Sequence, residues 1–154
     1  MILDDIRQLL VDASVEFREL HHEATRTSEQ SAAVRGEPLE IGGKALLLKV
    51  DDRFELFVMS AALRLDSKAL RKAIGVRKSR FATPEELAEQ TGLVPGSVPP
   101  FGQPILPFPL NADRSIVAND RIAFNAGSLT DSIIMARADW QRLANPRILD
   151  FSRR

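Results

Sequence analysis

Cysteine is absent from the 154 residues, which removes thiol nucleophiles, thiolate metal sites and disulfide frameworks at once. Such a chain fits a reducing compartment. Histidine is nearly absent: His21 and His22 are the only two. They are adjacent, and neighbours on an extended strand point to opposite faces, so they do not converge on one ion with Glu23. No metal site is expected. No apolar run approaches the roughly 18 residues of a membrane span. The opening MILDDIRQLL carries acids where a secretory signal carries positive charge. A cytoplasmic protein with no membrane contact is expected. Net charge is missing too, since 21 basic side chains balance 21 acidic ones, so a polyanionic partner has to be met by a local patch. There is no internal repeat, and the chain is most simply one domain over 1–154, large enough to bury roughly 70% of its unfolded surface.

The stretch that organises the rest is Glu40 to Val50, EIGGKALLLKV. Ala45 to Leu48 read as an interior strand, bounded by Gly42-Gly43 before and the turn-forming Asp51-Asp52 after. Lys44 sits at the mouth of that strand. The glycines allow another backbone or a ligand to approach closely, so its ammonium either faces an anion across a narrow gap or simply flanks the strand and points to water. Arg53 to Ala61 completes an antiparallel hairpin.

Around this hairpin, Leu3, Ile6, Leu9 and Leu10 mark a short amphipathic helix with Asp4 and Asp5 in its first turn. Val15 to Leu20 alternates as a half-buried strand. Thr27 and Gln30 have capping-box spacing for a helix ending near Gly36. Between Arg64 and Arg80 lie Arg64, Lys68, Arg71, Lys72, Arg77, Lys78 and Arg80 against one acid, Asp66. Asp66 caps a helix whose inward face is Leu65, Ala69, Leu70 and Ala73, which leaves the cations outward as a phosphate-contacting patch or an ordinary solvated face. Thr83-Pro84-Glu85-Glu86 starts a further helix that stops at Gly92.

From Leu93 to Pro109 the chain holds six of its nine prolines. The run is too apolar for a flexible linker, so it is expected as a rigid loop at a pocket rim. There the amides of Gly96, Ser97 and Val98 stay unpaired and available to a ligand; the bland alternative is a stiffened crossover. Ile116-Val117 and Arg121 to Phe124 read as short strands. Asn125-Ala126-Gly127-Ser128 forms a corner with small donors and room for a ligand, or a simple turn. A strand from Ser132 to Met135, a helical turn from Asp139 to Ala144 carrying Trp140, and a last strand with a charged tail complete the chain.

In order and spacing, the lysine in GGKALLLKV, the segment LDSKALRKAIGVRKSRFATPEELAEQTGLVPGSVPPFG and the corner RIAFNAGS resemble the YbaK/EbsC family of aminoacyl-tRNA deacylases. This is the ProX or prolyl-tRNA synthetase insertion-domain family, which edits mischarged tRNA in trans. The resemblance covers nearly the whole sequence. It implies a mixed α/β (α+β) fold, a curved, mainly antiparallel or mixed sheet surrounded by helices, with no cofactor. Lys44 then matches the strand lysine tied to deacylation. Gly96, Ser97, Val98, Pro99 and Pro100 match the glycine-x-x-x-proline loop that holds the terminal adenosine and the ester. Asn125, Ala126, Gly127 and Ser128 fall at the corner beside the substrate. Alanine-specific relatives carry asparagine after the lysine and histidine at the corner, where this chain has Ala45 and Asn125, so alanine specificity is not implied.

Hydrolysing an aminoacyl ester needs a water, a stabilised tetrahedral oxyanion and a hold on the 3′ end. Lys44 is expected to orient the terminal phosphate or polarise the ester, with amides near Gly96 and Gly127 as donors. No residue is required as general base, and relatives point to assistance by the ribose 2′-OH. Arg64, Lys68, Arg71, Lys72, Arg77 and Lys78 are expected to meet acceptor-stem phosphates. The expected substrate is a tRNA such as tRNA-Pro carrying a small wrong amino acid, with an aminoacyl-tRNA synthetase as a further partner. Two other classes compete: a non-catalytic tRNA- or synthetase-binding module on the same fold, and a small-molecule esterase indifferent to the basic cluster.

Overall fold

The computed structural model describes residues 1–154. In chain order the elements are α1 (Ile2–Asp12), β1 (Phe17–His21), α2 (Ser28–Arg35), β2 (Gly43–Val50), β3 (Arg53–Ser60), β4 (Arg64–Leu65), α3 (Ser67–Ile74), β5 (Ser79–Phe81), α4 (Pro84–Thr91), β6 (Leu110–Asp113), α5 (Arg114–Val117), β7 (Arg121–Asn125), β8 (Asp131–Ala136), α6 (Arg137–Ala144), β9 (Arg147–Leu149) and β10 (Ser152–Arg153). A single 3-10 turn, Leu39–Ile41, leads into β2. The strands form a five-stranded mixed sheet in the order β5-β2-β3-β6-β9, a three-stranded antiparallel sheet β1-β8-β7, and the ribbon β10-β4. The mixed α/β class holds, with strands divided between two sheets joined at a Gly42–Ala123 bridge.

The hairpin forms as its sequence demands. Val50 opposes Arg53 and Gly43 opposes Ser60, while the turn places Asp51 at φ 53°. Even-numbered residues of β2 face one way: Leu46, Leu48 and Val50 pack with Phe57, Met59, Leu70 of α3 and Phe151. Leu47 joins Leu56, Val58, Ile122, Phe124 and Trp140 in the larger core on the other face. Lys44 shares its strand parity with Leu46 and so lies on the α3 side. Gly43 has a packing reason of its own, since a Cβ there would stand 2.7 Å from Cδ1 of Ile122.

Local signals explain the helix ends. Thr27 Oγ1 accepts from the Gln30 amide, but Gln30 Oε1 accepts from Arg26 N–H, one residue earlier than a capping box requires. Asp66 accepts from the Ala69 amide. Thr83 and Glu86 make the full reciprocal box. Gly36, Gly75 and Gly92 end their helices in the left-handed region.

Three expectations need correcting. Ile116 and Val117 belong to the short helix α5, because Asp113 accepts from the Ser115 amide and starts a helical turn. Ala73 is exposed on α3, and Ile74 packs inward with Leu70 instead. The short strands β4, β5 and β6 add to the expected strands; they carry no extended alternation, and neighbouring strands recruit them.

Candidate active site

A cavity of about 400 Å³ opens between the start of α2, the first residues of β2, the proline loop and the corner after β7. Its charged lining residues are Arg26, Arg35 and Lys44, and no carboxylate lines it. The remaining polar wall comes mainly from Thr25, Thr27, Ser28, Ser31 and Asn125.

Lys44 is half-buried, and its Nζ donates one long hydrogen bond, 3.4 Å, to the Leu63 carbonyl. Burial lowers its ammonium pKa from the ordinary lysine value, and Glu29 partly restores it. It is therefore a cation with unused donors at a pocket wall.

Arg35, the last residue of α2, is 8% exposed. Nε donates to Ser132 Oγ at 3.0 Å and Nη2 to Asn125 Oδ1 at 3.0 Å. It makes no ion pair, and burial lowers its pKa to about 10. Charge composition did not reveal it, because Arg35 reads as an ordinary basic residue in the last turn of a helix. Only the fold, by setting it against β7 and β8, shows that no acid accompanies it.

Asn125 joins the two sides of the cavity: its Nδ2 donates to the Gly96 carbonyl at 2.6 Å while its Oδ1 accepts from Arg35. Of the nine residues expected to hold substrate, Gly96, Val98 and Asn125 line the cavity, together with Pro95 and Leu129. Ser97, Pro99 and Pro100 lie buried behind the wall. Ser97 Oγ donates to the Val94 carbonyl at 2.7 Å, and the Pro100 carbonyl accepts from Trp140 Nε1 at 2.8 Å. Ala126 is buried, and Ser128 Oγ donates to Asp131 at 2.6 Å.

Two amides expected to be free are spent: Ser97 N–H bonds the Val94 carbonyl, and Gly127 N–H bonds the Ser97 carbonyl. A rigid loop braces itself by satisfying most of its own donors. Of the amides expected to be free, those of Gly96 and Val98 keep no partner within the protein.

His21 Nδ1 lies 2.9 Å from Asp131, and His22 Nε2 lies 2.8 Å from Ser132 Oγ. The two rings thus serve different partners, and no group of three or more acids and histidines is arranged to hold a metal. The basic patch surrounds α3: Arg64, Lys68, Lys72, Arg77 and Lys78 are exposed, and Arg71 is half-buried with Nη1 donating to Ser79. Arg80 leaves the set by a bidentate pair with Glu86, at 2.7 and 3.0 Å. No helix is long and apolar enough to cross a membrane.

The family model for the aminoacyl-tRNA editing domain matches residues 22–143. The chain belongs to that family. This editing domain is 37% identical over 151 residues, 94% of its length and 89% of the relative's, to the multifunctional Ser/Thr-tRNA deacylase ProXp-y of Escherichia coli K12. It is also 31% identical over 101 residues, 66% of its length, to a proline–tRNA ligase of Shouchella clausii, where the match spans 18% of the ligase. A solved structure proposed as a trans-editing enzyme for prolyl tRNA synthetase superposes with a TM-score of 0.84 at 24% identity, covering 99% of this chain and 97% of that one. At that identity the likeness shows the fold. The family read from the lysine strand, the basic and proline segment and the RIAFNAGS corner is borne out.

Proposed function

We propose that this editing domain is a trans-acting aminoacyl-tRNA deacylase whose reaction takes place in the cavity lined by Arg26, Arg35 and Lys44. The observation that carries this is a cationic cavity free of carboxylates in a chain that aligns with a Ser/Thr-tRNA deacylase over nearly its whole length. Water adds to the ester carbonyl carbon, the bond to the ribose 3′ oxygen breaks, and that oxygen takes the proton, leaving free amino acid and uncharged tRNA. The ester is already activated, so the protein's task is placement and charge stabilisation more than supplying a nucleophile. Lys44, at the more open end, grips the terminal phosphate and aligns the 3′ end, while the unpaired Gly96 amide faces the reacting ester. With no carboxylate or histidine in the wall, the 2′-OH of the terminal ribose is the group that guides the water's proton.

The hydroxyl-rich wall of Thr25, Thr27, Ser28 and Ser31 suits a small or hydroxylated amino acid such as serine or threonine. Serine and threonine differ by one methyl group, worth only about 1–3 kcal/mol, so both fit one pocket, whereas alanine offers the wall's hydroxyls no partner. The exposed cations around α3 lie on the sheet face that carries Lys44, and they receive the acceptor stem. A cytoplasmic setting and docking to a prolyl-tRNA synthetase complete the reading. Purified protein is to be incubated with tRNAs charged with serine, threonine, alanine, cysteine or proline. Selective loss of serine or threonine esters is expected; ester loss no faster than in buffer for every tRNA would leave a binding module as the account.

A further inference from the structure

Arg35 is the most buried cation of the cavity and has no acid beside it. Three features bear on its use. Its side chain is held at two points by neutral acceptors, Ser132 Oγ and Asn125 Oδ1, so its orientation is set before any ligand arrives. Ser132 is itself fixed by His22 Nε2 at 2.8 Å. The third nitrogen, Nη1, has no protein partner, yet no buried side-chain nitrogen in the molecule is left without one, so Nη1 is not sealed off, and it stands 3.9 Å from where a Cβ on the cavity-lining Gly42 would lie.

The protein bears the cost of desolvating a guanidinium without a counter-charge, and such an arrangement fits a negative charge that appears only in the complex. A charged 3′ end enters ester first, so the more buried cation, Arg35, meets the ester and the less buried Lys44 meets the phosphate. The amino acids proposed above carry no anionic side chain. The negative charge at the deep end therefore belongs to the tetrahedral intermediate. Asn125 ties Arg35 to the carbonyl of Gly96, the residue whose own amide is unpaired, which brings two donors to one wall.

Building on the deacylase reading, we propose that Arg35 is a catalytic residue, the fixed cation that stabilises the tetrahedral oxyanion of the ester together with the Gly96 amide. Ser132 and Asn125 are its positioning residues. Aimed at charge that develops only in the transition state, such a donor acts on kcat and leaves substrate affinity alone.

The test compares wild type with Arg35→Gln in three measurements. Single-turnover ester cleavage on saturating protein is expected to fall roughly a hundredfold or more, with the Kd for tRNA unchanged. The same factor is expected on 3′-aminoacyl-adenosine, which has no phosphate. Wild type is expected to bind an adenosine bearing a tetrahedral 3′-phosphonate analogue of the ester far more tightly than the planar 3′-amide, and Arg35→Gln is expected to erase that preference while keeping amide binding. A loss confined to KM, or confined to the phosphate-bearing substrate, overturns the assignment and makes Arg35 a phosphate ligand. Should Arg35→Gln fail to fold, a wild type that binds phosphonate no better than amide overturns it alone. Wild type inert toward every charged tRNA refutes the deacylase reading instead, whereas an active wild type whose rate survives Arg35→Gln refutes only this inference.

Discussion

The acids beside the two sheets and the cations of the cavity are handled in opposite ways. On the five-stranded sheet, the Glu55 side chain is 4% exposed and accepts from Arg53 at 2.7 Å and from Asn111 at 3.0 Å, with Arg147 at 3.5 Å. Beside the three-stranded sheet, Glu37 lies between Arg18 at 3.2 Å and Arg121 at 2.7 Å. Each acid has two cations. In the cavity, neither Arg35 nor Lys44 forms an ion pair, and Glu29 acts on Lys44 only from a distance. Paired charges hold elements in register, as does Asp113, an acid with no cation whose oxygens accept from the Ser115 and Phe151 amides and from Ser152 Oγ; on the proposed function, the cavity cations meet a charge that the substrate brings.

That difference can be attacked from both sides. Lys44→Ala should lower kcat/KM on mischarged tRNA by about a thousandfold, ~4 kcal/mol of transition-state stabilisation, with the far-ultraviolet circular dichroism and melting temperature retained. Glu55→Ala should do the reverse. Breaking a buried pair costs about 3 kcal/mol, read as a lower midpoint in urea, while the rate per folded molecule stays at the wild-type value.

The pH profile separates the regions further. Burial lowers the Lys44 pKa, so its charged form persists below that value and is lost as pH rises through it. Enzymatic hydrolysis, after subtraction of the spontaneous alkaline reaction, should fall as pH rises, with the fall beginning before the ordinary lysine pKa of about 10.4 is reached. Lys44→Arg should move that limb upward. The smallest effect belongs to the α3 surface. Replacing Lys68 and Lys72 together by glutamate should weaken tRNA binding severalfold and reduce the steepness of its salt dependence by about two phosphate contacts. Turnover of bound tRNA should not change.

The fold class, the hairpin and the helix stops were legible because each rests on a local rule: a two-acid turn between apolar runs, a threonine three residues before a glutamate, a glycine that accepts positive φ. That Lys44, Gly96 and Asn125 would line one cavity was legible through the order of their motifs. The rest of the cavity was not, because it depends on residues far apart in the chain. Nothing near Arg35 in sequence says that Asn125 and Ser132 will face it, and nothing in GSVPP says that Ser97 will spend its amide on Val94. Proline content indicated stiffness correctly, but stiffness came from satisfied donors, which left fewer amides free than the composition implied. The strands β4 to β6 escaped notice for the same reason, being made by their partners.

The claim that the cavity cations serve chemistry and the ion-paired charges serve the fold meets its most direct test in Arg35→Met, with thermal unfolding and single-turnover ester cleavage measured on the same preparation. Removing an uncompensated buried cation should leave the melting temperature at or above that of wild type, while cleavage of mischarged tRNA is lost. A variant that melts well below wild type, as Glu55→Ala should, yet cleaves at the wild-type rate per folded molecule, would show Arg35 to be one more structural charge and contradict the account.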